Sequence, residues 1–87
     1  MKIKLFGGLR QKAGSAELES SGATIREALE TICTGNEMLR AAIFNGKVLH
    51  PHVRLMVNGR DCELEQGLET PVSDSDQIAI FPPIADG

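Results

Sequence analysis

A strand that runs into two consecutive prolines constrains this 87-residue chain more than any other feature. Ile78-Ala79-Ile80-Phe81 alternates as a β-strand. Pro82-Pro83 then remove two backbone donors and fix φ, so the ladder has to stop at Phe81 or soon after it. The residues beyond form an arm ending on glycine. Four extended residues reach at most about 13–14 Å, enough to enter another protein's active site while the folded body stays outside. Glycine suits the last position because it has no Cβ to block an enzyme closing around its carboxylate. The plain alternative is a frayed terminus of the kind most domains have.

The rest of the chain supplies one folded body. Its length allows a single core that buries roughly 60–65% of the unfolded surface. A hydrophobic content of 41% with 24% charged residues is that of an ordinary globular domain. Met1-Lys2-Ile3-Lys4-Leu5 lacks the apolar run of a signal peptide, and no stretch nears the roughly 18 apolar residues of a membrane span, so the expected location is cytoplasmic. Cys33 and Cys62 lie far apart, outside any CxxC pattern, and fit a reducing compartment as buried packing residues. Charge is uneven: residues 1–59 carry a net +3 and residues 60–87 a net −6. With three Phe and neither Tyr nor Trp, the chain lacks the aromatic-interleaved basic stripe of a nucleic-acid binder, and its acidic half points to a basic protein partner.

Lys2-Ile3-Lys4-Leu5-Phe6 alternates with period two and predicts a first strand, ended by Gly7-Gly8. A short helical turn or loop over residues 9–15 precedes a second strand at 17–20. Thr24 with Glu27 spells a capping box, and Ile25, Ala28, Leu29, Ile32 and Cys33 form the apolar stripe of the main helix, stopped at Gly35-Asn36. Residues 37–44 add a short second helix with Leu39, Ala42 and Ile43 inward, followed by a turn at Asn45-Gly46-Lys47. Val53-Arg54-Leu55-Met56-Val57 is a strand, Asn58-Gly59 a tight hairpin turn, and Cys62 and Leu64 lie on the returning strand. Residues 67–76 form a turn-rich crossover into the last strand. The order β-β-α-β-(β)-β predicts an α+β sheet with helices on one face. If strands one and three are neighbours, Phe6, Met56, Ala79 and Phe81 make an apolar patch rimmed by Lys2, Lys4 and Arg54 on the uncovered face, a pattern that marks partner sites. His50-Pro51-His52 reads as an exposed loop rather than a metal site, because a closed zinc site needs four ligands and no third is near in sequence. Neither glycine pair belongs to a phosphate-binding pattern.

Three motifs carry a resemblance. They are residues 6–14 (FGGLRQKAG), residues 57–61 (VNGRD), and residues 68–72 (LETPV) leading to residues 74–87, DSDQIAIFPPIADG. Together they resemble the ubiquitin-like β-grasp sulfur carriers, the small subunit of molybdopterin synthase more than the thiamine-pathway carrier. The resemblance implies a single β-grasp domain over residues 1–87, with a mixed four- to five-stranded sheet, one main helix and a flexible arm at 82–87. It implies a carrier in molybdopterin or tungstopterin biosynthesis whose Gly87 carboxylate is adenylated by a ubiquitin-activating-type enzyme and then thiocarboxylated. The sulfur would go to a pterin precursor in the large synthase subunit. The chain would bind no cofactor or metal itself, with ATP and a sulfur donor used through the partner, and would hold no catalytic groups beyond that carboxylate. Phe6, Met56, Ala79, Phe81, Pro82, Pro83, Ile84, Ala85 and Asp86 would meet the partners. The family usually ends in Gly-Gly, and here Asp86 adds a Cβ and a charge that repels the terminal carboxylate by about 3 kcal/mol at an effective dielectric of 20. A ubiquitin-like modifier joined to lysines and a non-catalytic interaction module are the alternatives.

Overall fold

The computed structural model describes residues 1–61 and 66–82. Its elements run β1 (Lys2–Leu5), α1 (Leu9–Ala13), β2 (Glu17–Glu19), α2 (Ile25–Cys33), α3 (Glu37–Ile43), β3 (Phe44–Asn45), β4 (Val48–Leu49), β5 (Arg54–Val57), β6 (Arg60–Asp61), a 3₁₀ turn (Gly67–Glu69) and β7 (Gln77–Phe81). The main sheet is mixed and five-stranded in the order β2-β1-β7-β5-β6, with β3 and β4 forming a separate two-stranded ribbon. This is the α+β architecture anticipated from the residues.

The central pair decides the molecule's layout. β1 and β7, near opposite ends of the sequence, lie side by side and parallel with Lys4 opposite Ala79 and Leu5 opposite Ile80. β5 runs antiparallel along the other edge of β7, with Arg54 opposite Phe81 and Met56 opposite Ala79. The first strand and the Val53–Val57 segment are therefore not neighbours, against the sequence expectation, and Lys2 and Lys4 are separated from Arg54 by the width of β7. Period-two alternation assigns each residue to a face but carries no information about which strand lies next to which.

Alternation also places the core. Ile3, Leu5, Leu55, Ile78 and Ile80 point to one face and are at most 1% exposed, beneath Ile25, Ala28, Leu29 and Cys33 of α2 and Leu39 and Ile43 of α3. Thr24 caps α2, its Oγ1 accepting from Glu27 N at 3.3 Å, while Glu27 Oε1 accepts from Ala23 N at 2.9 Å, one residue further back than a standard capping box. Asn36, expected to help stop the main helix, instead starts the next one by accepting from Leu39 N at 3.1 Å. Of the short helical turn or loop expected over residues 9–15, the structure forms the helical alternative as α1, and Asn36 Nδ2 joins it to α3 through Lys12 O at 2.9 Å.

The Asn58-Gly59 turn behaves as its sequence demands, with both residues at positive φ (52° and 85°) and Val57 opposite Arg60. Asn58 does more than turn the chain. Its backbone N donates to Gln77 O at 2.8 Å, its Oδ1 accepts from Gln77 N at 3.0 Å, and its Nδ2 donates to Asp76 Oδ1 at 2.9 Å. These bonds fix the start of β7 and, with Ser73 N–H, hold the Asp76 carboxyl below its ordinary pKa.

Candidate functional site

Because β1 and β7 are parallel, they end at the same edge of the molecule. Phe6 N donates to Ile80 O at 3.2 Å, so the pairing continues one residue beyond β1. The rings of Phe6 and Phe81 then stack with centroids 4.6 Å apart and planes within 10° of parallel. The stack lies on the sheet face that the helices leave open. Met56 and Ala79 share this face, and all four apolar residues are half-buried. The sequence expectation that Phe6, Met56, Ala79 and Phe81 form one patch agrees with this arrangement, although the strand order that produces it is different.

The patch has a basic surround. Lys2 and Lys4 project from β1 on the same face and are exposed. The Arg10 guanidinium lies 5.6 Å from the centroid of the Phe6 ring, and its Nε donates to Leu5 O at 3.1 Å. On the far side Arg54 is ion-paired with Asp61. Among the described residues, the cations on this face thus come from β1, α1 and β5.

Arg10 was not singled out by sequence reasoning. The available signal was its position four residues after Phe6, at the start of a helical segment, where a long cation folds back over the preceding ring. In the sequence Gly7 signals only a turn. It has φ +61°, and a Cβ built on it would lie 2.8 Å from Pro82 Cγ, so its backbone packs directly against the first proline of the arm. Pro82 itself is half-buried.

Pro83, Ile84, Ala85, Asp86 and Gly87 lie outside the described residues, as do Cys62 and Leu64. Cys33 is fully buried, and burial pushes its thiol pKa up to about 11, as expected for a packing residue rather than a nucleophile. Among the described residues no group of three or more His, Cys, Asp or Glu side chains could hold a metal ion, and no helix is long and apolar enough to cross a membrane.

A parallel central pair of chain-terminal strands, helices on one face, and a half-exposed apolar patch where the chain leaves the sheet define a ubiquitin-like β-grasp protein. Residues 3–87 match the ThiS family, and the chain belongs to it. The sulfur carrier protein CysO of Mycobacterium tuberculosis is 37% identical, over 88% of this chain and 82% of that protein. The solution structure of small archaeal modifier protein 1 from Methanosarcina acetivorans superposes with a TM-score of 0.90 at 33% identity, over 99% of this chain and 94% of that one. A chain in the crystal structure of the Amycolatopsis orientalis BexX/CysO complex superposes with a TM-score of 0.88 at 28% identity, covering 99% and 98%.

Proposed function

We propose that the protein is a sulfur carrier activated at the Gly87 carboxylate by a ubiquitin-activating-type adenylating enzyme. The observation that carries this reading is the placement of the half-exposed Phe6–Phe81 stack at the root of the segment that ends on Gly87. A partner that covers the stack is thereby positioned to receive the terminus. The complex structure named for a CysO supports a protein partner for a chain of this fold.

The chemistry follows from the carboxylate. An oxygen of Gly87 attacks the α-phosphorus of ATP, the P–O bond to the β-phosphate breaks, and pyrophosphate leaves. Hydrosulfide then attacks the acyl carbon, AMP departs with the electron pair of the C–O bond, and a thiocarboxylate remains. ATP and the sulfur donor are handled by the partner. The carrier contributes the reacting carboxylate and a docking surface. For the acceptor, the ending FPPIADG favours a pterin precursor in the large subunit of molybdopterin synthase, in molybdopterin or tungstopterin biosynthesis.

A second reading, a ubiquitin-like modifier attached to lysines, is favoured by the similarity to small archaeal modifier proteins. It uses the same adenylation and differs at the acceptor. Incubation with the adenylating enzyme, ATP and sulfide, followed by intact-mass measurement, tests the carrier reading: one oxygen exchanged for sulfur is expected, and no exchange overturns it. Deleting Gly87 should abolish pyrophosphate release while leaving the melting temperature unchanged, since the residue lies beyond the last ladder pair, Arg54 with Phe81. Full activity of the deleted form would select an interaction module instead.

A further inference from the structure

The parallel strands β1 and β7 remain packed for one residue pair after their ladder and the aromatic stack have ended. Beyond Phe6 and Phe81 come Gly7 and Pro82, where an added Cβ on Gly7 would fall 2.8 Å from Pro82 Cγ and 3.5 Å from Pro82 Cδ. Real Cβ atoms do not approach a carbon as closely as the first of these distances, so only glycine lets the pyrrolidine ring rest there. Proline in turn holds its own φ near −65° and gives no donor to extend the sheet. The contact joins a backbone that only glycine can supply to a ring that cannot rotate about N–Cα.

We propose that Gly7 and Pro82 are positioning residues: Gly7 is the seat of Pro82, and their contact sets the direction in which the chain leaves the sheet toward Gly87. This inference rests on the carrier reading. Five residues follow Pro82, at most about 17 Å of chain, so the direction taken at Pro82 bounds the region that Gly87 can reach. Misplacing a reacting group by as little as about 1 Å degrades reaction rates. Neighbouring glycines provide internal controls. Gly8 has φ −65° and nothing within 4 Å of an added Cβ, whereas Gly14 has φ +79° and likewise nothing within 4 Å. Gly14→Ala therefore reproduces the left-handed strain of Gly7→Ala without the collision, and Gly8→Ala reproduces neither.

The test compares these three variants with Pro82→Ala and with the Gly7→Ala/Pro82→Ala double variant. It measures melting temperature, kcat/KM for adenylation by the activating enzyme, and the NOE between Gly7 Hα and the Pro82 ring protons in the wild type. Gly7→Ala should lose at least as much thermal stability as Gly14→Ala, and only Gly7→Ala should lose tenfold or more in kcat/KM. Pro82→Ala should show a comparable catalytic loss with little change in melting temperature, and the double variant should be no worse than the poorer single one, because both remove the same contact. Equal activity of Gly7→Ala and Gly14→Ala would overturn the inference, as would multiplicative losses in the double variant. If Gly7→Ala fails to fold, full activity of Pro82→Ala overturns it instead. A wild type that no adenylating enzyme activates defeats the carrier reading and its presentation claim together. An absent NOE in an active wild type defeats the seat alone.

Discussion

The two faces of the sheet are built from the same strands and do opposite work. On the inner face Ile3, Leu5, Leu55, Ile78 and Ile80 are sealed under α2 and α3. On the outer face their sequence neighbours Phe6, Met56, Ala79 and Phe81 stay half-exposed, flanked by Lys2, Lys4 and Arg10. Adjacent residues such as Ile80 and Phe81 thus differ in role because the pleat sends them to different solvents. A large side chain contributes stability on the inner face, and on the outer face it stays partly open to solvent.

The sharpest way to break this contrast is a pair of substitutions one residue apart. Ile80→Ala should cost about 2–5 kcal/mol of folding stability in denaturant titration, since it opens a cavity in the fully buried layer. Binding to the adenylating enzyme should persist wherever the variant is still folded. A loss below about 1 kcal/mol would show that the inner layer can collapse around the gap.

Cys33 probes the same layer by pH. Its folded pKa of about 11 lies above the ordinary thiol value of 9.0, so the unfolded chain releases the proton first. Stability should therefore fall as pH rises from about 9 to about 11, by on the order of 2 kcal/mol, and be unaffected by this group below that window. Cys33→Ala should flatten the dependence. A slope that survives the substitution would assign it to other groups.

Phe81→Ala sharpens the outer half of the comparison. It removes the partner of Phe6 from a half-buried stack, so the stability loss should be about 1–2 kcal/mol, smaller than for Ile80→Ala. Affinity for the adenylating enzyme should drop by more than about 1 kcal/mol in calorimetry if the stack anchors the interface. A large stability loss with unchanged affinity would move Phe81 to the structural side.

Lys4→Gln should have the smallest effect. Lys4 is exposed and faces Glu17 across β1 and β2, so stability should change by no more than about 0.5 kcal/mol. Association with the partner should slow several-fold at low salt, and the difference should shrink as ionic strength rises. A salt-independent rate would mean that the basic surround does not steer docking.

Local rules carried much of this fold. Alternation in residues 2–6 and 53–57 assigned Ile3, Leu5 and Leu55 inward because a strand's side chains have a strict period of two. Thr24 and the Ile25–Cys33 stripe located the main helix because capping and the 3.6-residue period are properties of a single segment. Asn58-Gly59 named its own turn. Pro82-Pro83 likewise ended the last strand for a local reason, since a proline's missing donor does not depend on context.

Tertiary structure decided what those segments lie against. That β7 sits between β1 and β5, that Asn36 begins a helix instead of ending one, that Arg10 lies over Phe6 and that Gly7 receives Pro82 are relations between residues from 3 to 75 positions apart in the sequence. Residues carry their conformational preferences and their hydrophobicity wherever they are. Adjacency across the sheet is set only when the whole apolar surface is buried at once, and that requirement, rather than any single motif, brought the two ends of the described chain together at the root of the arm.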